Sequence, residues 1–320
     1  MPSDREASPA PSSGKQELGK ALMALMWTSG YVVGALATAH TPALTATFWR
    51  LFVAFPLMAA IAFAAGARWP RREQLKYVIA VGLLLQAVQF AGVYTALQRG
   101  VPAGLVALLA GSSPVLVAIA GSLFFDEHLD RRQWIGSAIG LLGVVFAVAD
   151  EMGGSLSATG LLLALLGIAG LTAGTLVQHY RAGEVDPLGA NTIQLAAASL
   201  FMAPLAALGP GFGVRISYAA LAPLVWLTLG LSIGAVLLFF WLLRNQKGGE
   251  ATSFLYVVPS LTAIAAVPVL GQSLDAGVVI GLALGLVGVN LVGAGRRGHS
   301  PGVVTRAFTG LRGVSEGWVR

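Results

Sequence analysis

Apolar residues run through this chain in blocks of about twenty, separated by short polar stretches, without the strict alternation of a half-buried strand. A helix needs about 20 mostly apolar residues to cross the hydrocarbon of a bilayer. Ten blocks reach or approach that length: 20–39, 43–65, 77–97, 102–124 and 133–149, then 159–178, 188–208, 220–243, 251–270 and 276–295. The pattern predicts an all-α membrane protein of ten transmembrane helices. The first 18 residues, rich in Pro, Ser and charge, read as a disordered tail. The apolar run behind them is too long for a signal-peptide core, so the first helix is expected to stay as an anchor.

The blocks also repeat. Leu129 to Val144 aligns without gaps to Leu274 to Val289, an offset of 145 residues, with nine of 16 positions identical, three of them glycines in phase. The same offset sets Pro114 on Pro259, Arg99 on Arg244 and Tyr94 on Phe239, which reads as a duplication. Each copy holds five spans, an odd number, so the second copy enters the membrane in the opposite sense. Inverted repeats of this kind are typical of secondary transporters, with a site between the halves.

Composition and charge refine this picture. Only 11% of the residues are charged, against roughly 25% in soluble domains, so lipid must cover most of the surface. The formal net charge of +6 does not point to nucleic acid, because the basic residues fall in the connections. With the amino terminus cytoplasmic, 17 of the 20 Lys and Arg lie on the cytoplasmic side. Only Arg99 and Arg215 lie outside, and Arg50 sits within a span. By the positive-inside rule both termini are cytoplasmic, in a plasma or inner membrane. There is no cysteine, and the four histidines are scattered, so neither a cofactor nor a metal is expected.

Two five-span halves, each ending in a proline-containing span, a turn and a G-x-x-x-G-x-x-G-V span, resemble the EamA repeats of the drug/metabolite transporter superfamily. The resemblance also rests on Trp27 to Gly30, Trp49 to Phe52, Tyr94-x-Ala96-Leu97, Ser113 to Val115, Asp126-Glu127-x-Leu129 and Pro259-Ser260. It implies a disordered cytoplasmic tail over 1–18, repeats over 19–150 and 151–296, and a basic cytoplasmic tail over 297–320. It further implies a secondary transporter, with export favoured by the resemblance alone, moving a small metabolite, amino acid or amphipathic drug-like solute by alternating access. The halves differ where Glu127 faces Gln272 and, at an offset of 144, where Arg50 faces Gln194.

Candidate chemistry follows from polar side chains in apolar spans, which lipid tolerates poorly. Arg50 is the one ionisable residue well inside a span. Either it reaches the outer interface, or it faces a cavity and attracts an anionic group of the solute. Trp27, Ser29, Tyr31, Gln86, Gln89, Tyr94, Ser113, Thr172, Thr175, Gln194, Trp241, Ser253 and Tyr256 are candidates to line that cavity with it. Pro114 and Pro259 are expected as paired mid-span kinks, acting as hinges or as fixed shaping. Glu127 belongs either to a solvated turn or to a cytoplasmic gate capping a helix end. The competing readings are a membrane-embedded enzyme and a structural membrane protein. No GxSxG, HExxH or intramembrane acid pair supports the first, and inverted halves with a polar interior argue against the second.

Overall fold

A computed structural model of the chain describes residues 14–125, 127–152, 156–245, 255 and 257–295. Among the described residues ten helical rods follow one another: α1 (Gly14–His40), α2 (Ala43–Ala64), α3 (Arg72–Gln98), α4 (Ala103–Phe124), α5 (Arg131–Met152), α6 (Ala158–Tyr180), α7 (Pro187–Leu208), α8 (Tyr218–Leu243), α9 (Val258–Leu270) and α10 (Ala276–Gly295). The first eight are long and apolar enough to cross a membrane, and the apolar stretches of α9 and α10 are shorter. The polarity of a soluble protein is turned inside out. Phe124, Leu162 and Leu208 stand more than half exposed, while Arg50, Asn191, Gln194 and Ser232 are buried. Lipid is the solvent that accepts such a surface.

Local chemistry sets the helix ends. Asp186 Oδ1 accepts from the N–H groups of Leu188 and Gly189 at the start of α7. Asp130 and Gln133 cap one another at the start of α5, at 2.7 and 2.8 Å. Ser157 opens α6 in the same way. α1 begins at Gly14, so residues 14–18 of the expected tail are helical, and residues 1–13 lie outside the described residues. A Glu17–Lys20 ion pair at 2.6 Å and a bond from Gln16 Nε2 to the Asn245 carbonyl support its first turns.

The backbone carries the duplication further than the sequence does. The middle of α3, Leu83–Val88, and the middle of α8, Trp226–Ala235, are both wound as π-helix, at equivalent places in the two halves. Gly66 and Gly211, 145 residues apart, both take left-handed φ values (64° and 82°) just past the ends of α2 and α7, a conformation that glycine adopts without strain.

The halves meet along α5 and α10. A Cβ at Gly143 would lie 2.7 Å from the Gly281 carbonyl, and one at Gly281 would lie 2.6 Å from the Gly143 carbonyl. Gly136 and Gly288 oppose one another in the same way, at 2.7 and 2.6 Å. As the first partner's number rises the second's falls, so the equivalent helices of the two copies run antiparallel across a pseudo-two-fold axis. The architecture is a pair of inverted five-helix repeats.

Candidate functional site

Arg50 lies seven residues into α2, about 10 Å from that helix end at 1.5 Å per residue, and is only 4% exposed. It does not reach out to an interface. An arginine cannot shed its proton, so a buried guanidinium needs donors' partners and a polarisable face. Its Nε donates to Ser232 Oγ at 2.8 Å, and Nη1 donates to the Tyr94 hydroxyl. The guanidinium carbon lies 3.9 Å from the centroid of the Phe90 ring, a cation–π stack. These partners come from three places: α2 supplies the charge, α3 supplies Phe90 and Tyr94 one turn apart, and the π segment of α8 supplies Ser232. The Ser232 hydroxyl also donates to the Leu227 carbonyl five residues back, a side-chain bond within the π segment. Two of the five guanidinium N–H donors are engaged, and among the described residues no carboxylate pairs with it.

Tyr31 of α1 is half-buried one turn from Gly34, whose Cα leaves so little room that a Cβ would meet the Tyr94 ring at 2.8 Å. Trp27 tilts against Phe239 with centroids 6.0 Å apart. Tyr31, Arg50 and Tyr94 thus gather around one region between the halves. Ser113 and Thr172 form a second small group, their hydroxyls 3.5 Å apart, while Thr175 bonds back to its own helix at the Leu171 carbonyl. Gln194 Nε2 donates to Gln178 Oε1 at 3.4 Å, away from Arg50 and toward the basic face, where α6 ends and α7 begins. Gln86 and Gln89 are half-buried in and beside the π segment of α3. Ser29 is occupied in joining α1 to α8, accepting from Trp226 Nε1 at 2.8 Å. Trp241 packs on Gly19 near the basic end of α1 and does not join the Arg50 group. Ser253 and Tyr256 lie outside the described residues.

A crevice between α4, α5, α9 and α10 is lined by Leu108, Gly111, Val115, Pro259, Leu282 and Leu286, among others, and holds none of the Arg50 group. Its walls are mostly apolar, with Ser112 and Ser260 among them, and Leu286 is 45% exposed. The buried charge and its polar partners make the Arg50 group the stronger candidate site.

The two prolines each start a helical segment. α4 is broken at Ser112 into Ala103–Gly111 and Ser113–Phe124, with Pro114 in the first turn of the second piece, where a missing N–H costs nothing. Pro259 stands in the first turn of α9 rather than in the middle of a continuous rod, and it packs against Gly111 of α4. Glu127 folds back over the last turn of α4. Its Oε2 sits 2.9 Å from where a Gly121 Cβ would be, and the Tyr180 hydroxyl lies 3.2 Å from the same point. Phe125 stacks on Tyr180 with 3.8 Å between centroids. Gln272, the repeat partner of Glu127, caps α4 at the opposite face, accepting from Ala103 N at 3.0 Å.

Phe90, Ser232 and Gln178 are absent from the sequence-derived set. Phe90 precedes Tyr94 by four residues, so helical spacing from a known candidate would have reached it. Ser232 and Gln178 are polar residues in apolar spans, the same signal that marked the others.

The model of a family described as the EamA-like transporter family matches residues 17–149 and 158–294. The chain is 26% identical over 284 residues to the "Uncharacterized transporter YvbV" of Bacillus subtilis (85% of this chain, 89% of that one). It is 29% identical over 273 residues to the "Uncharacterized inner membrane transporter YedA" of Escherichia coli (82% and 85%). It is 28% identical over 266 residues to a "Probable terminal-alkyne amino-acid exporter" of Streptantibioticus cattleyicolor (79% and 86%). A solved crystal structure superposes with a TM-score of 0.62, covering 90% of this chain and all of its own, at 19% identity, which shows a shared fold.

Proposed function

Because the chain belongs to the EamA-like transporter family, we propose that it exports a small amphipathic metabolite bearing a carboxylate, amino acids foremost, across the cytoplasmic membrane. It is a transporter and not an enzyme. The observation that carries the solute class is Arg50: a permanent positive charge buried between the halves, with an aromatic face beneath it and N–H donors to spare. A solute carboxylate supplies the missing counter-charge through a charge-assisted bond. Trp27, Tyr31 and Tyr94 offer an amphipathic wall for the rest of the molecule.

The basic connections, including Arg68, Arg71, Arg72, Arg131, Arg132 and Arg181, define the cytoplasmic face, with both termini on it. Arg50 then lies in the outer third of the membrane. The helix break beside Pro114, the helix start at Pro259 and the Glu127 contact over Gly121 serve as hinges and a cytoplasmic latch for alternating access. The amino-acid class and the inner membrane agree with what two relatives are described as, an amino-acid exporter and an inner membrane transporter.

Expression of the gene in cells challenged with a panel of toxic amino-acid analogues tests the proposal, followed by efflux of the radiolabelled parent compounds from preloaded cells. Resistance and faster efflux are expected, and Arg50→Gln, expressed to the same level, abolishes both. Unchanged efflux in Arg50→Gln would remove the carboxylate reading.

A further inference from the structure

The duplication places a second polar station at the depth that mirrors Arg50. Arg50 stands seven residues beyond Ala43, the start of α2, and Gln194 stands seven beyond Pro187, the start of α7. Inverted repeats put these starts on opposite faces, so the two residues sit about 10 Å from opposite surfaces at 1.5 Å per residue. Gln194 is 8% exposed and reaches Gln178 of α6 at 3.4 Å, a long bond. Asn191, three residues before Gln194 and therefore on the same side of α7, is 6% exposed. Its side-chain amide nitrogen is buried and meets no acceptor among the described residues. A buried donor without an acceptor is rare in folded proteins, and one that persists asks for a partner the protein itself does not supply.

We propose that Gln178, Asn191 and Gln194 form an uncharged subsite on the cytoplasmic side that receives a carbonyl or carboxylate oxygen of the solute before it meets Arg50. Amide donors hold such an oxygen through neutral hydrogen bonds, which are weaker than bonds to a guanidinium. The solute therefore moves from a weaker station facing the cytoplasm to a stronger one near the outer face. The same operator that turned the first repeat into the second made the two stations, and divergence removed the charge from one of them. This inference rests on the transporter reading of the previous subsection.

The chain contains no cysteine, so single cysteines give a clean test. Asn191→Cys, Gln194→Cys and Gln178→Cys are each exposed, in inside-out membrane vesicles, to a charged, membrane-impermeant methanethiosulfonate reagent. Ala198→Cys, one turn deeper on α7 in the α2 contact, serves as the control. The expected result is at least tenfold faster modification at 191 and 194 than at 198, slowed by those amino acids that the intact protein exports. Slowing is expected to persist when Arg50→Gln is added. Inert cysteines at both 191 and 194 in a protein that still exports overturn the subsite, as does modification that no exported amino acid slows. If no amino acid is exported by the cysteine-free parent, the proposed solute class fails, and reactivity at 191 and 194 from the cytoplasmic side still decides whether the subsite exists.

Discussion

Within the α5–α10 seam, glycines one turn apart have opposite tolerance for a methyl group. Alanine at Gly143 would bring its Cβ to 2.7 Å from the Gly281 carbonyl oxygen and 2.9 Å from Leu284 Cβ. Carbon and carbonyl oxygen approach no closer than about 3.3 Å even in favourable C–H···O contacts, so α5 and α10 must part by several tenths of an ångström. Backbone cannot rotate away as a side-chain tip can. Overpacking of this kind costs about 1–3 kcal/mol, a factor of roughly 5 to 160 in the folding equilibrium. At Gly140 the nearest atoms are Val115 Cγ2 at 3.5 Å and Gly288 Cα at 3.9 Å, ordinary contact distances. Alanine there is expected within about 0.5 kcal/mol of the parent. The repeat doubles the experiment: Gly288→Ala should behave as Gly143→Ala does, and Gly285→Ala, which meets only Leu108 Cδ1 at 3.4 Å, as Gly140→Ala does. Unfolding of the purified protein in mixed micelles by increasing SDS, followed by tryptophan fluorescence, measures all four. If Gly140→Ala is as damaging as Gly143→Ala, close backbone approach at the seam is not what holds the halves together.

Other substitutions probe other joints. Arg50→Lys keeps the charge but cannot stack flat on Phe90 while donating to both Tyr94 and Ser232; losing about 1–2 kcal/mol of these contacts lowers solute affinity roughly 5- to 30-fold, read as a raised half-saturation concentration for efflux. Asp186→Ala strips the cap from α7 and the bond from Arg68 N, costing about 1–2 kcal/mol in the same unfolding assay, while Asp186→Asn retains most of it. Gln272→Ala leaves the Ala103 N–H without its side-chain acceptor and costs about 0.5–2 kcal/mol. Gln272→Glu, which restores the first-half residue, preserves the bond.

Much of this molecule is legible in its amino-acid order. Hydropathy blocks locate the spans, because crossing a bilayer demands about 20 apolar residues irrespective of packing. The in-phase glycines locate the seam, because close approach of two backbones leaves no other residue type available. The polar exceptions to lipid point to Arg50 and Tyr94. Which face of each helix looks inward is far less legible, since lipid and core both accept Leu, Val and Ala. Trp241 and Ser29 accordingly look like cavity residues in sequence and turn out to tie α1 to α8. Ser232 lies 182 residues from the arginine it supports, a distance no local pattern bridges. The π segments leave no mark in composition, and Gln272 reads as a lost acid until its bond to Ala103 shows a cap retained without charge.

The reciprocal contacts of Gly136 with Gly288 and of Gly143 with Gly281 have an energetic corollary. An operator that exchanges the repeats also exchanges the two sides of the membrane. Any tilt of α5 against α10 that loosens the seam at the basic face has an image that loosens it at the opposite face at nearly the same cost. The seam is therefore close to neutral between the two directions. Whatever distinguishes the two directions therefore lies outside these glycine contacts, among the positions where the copies differ, such as Arg50 against Gln194, Tyr94 against Phe239 and Glu127 against Gln272.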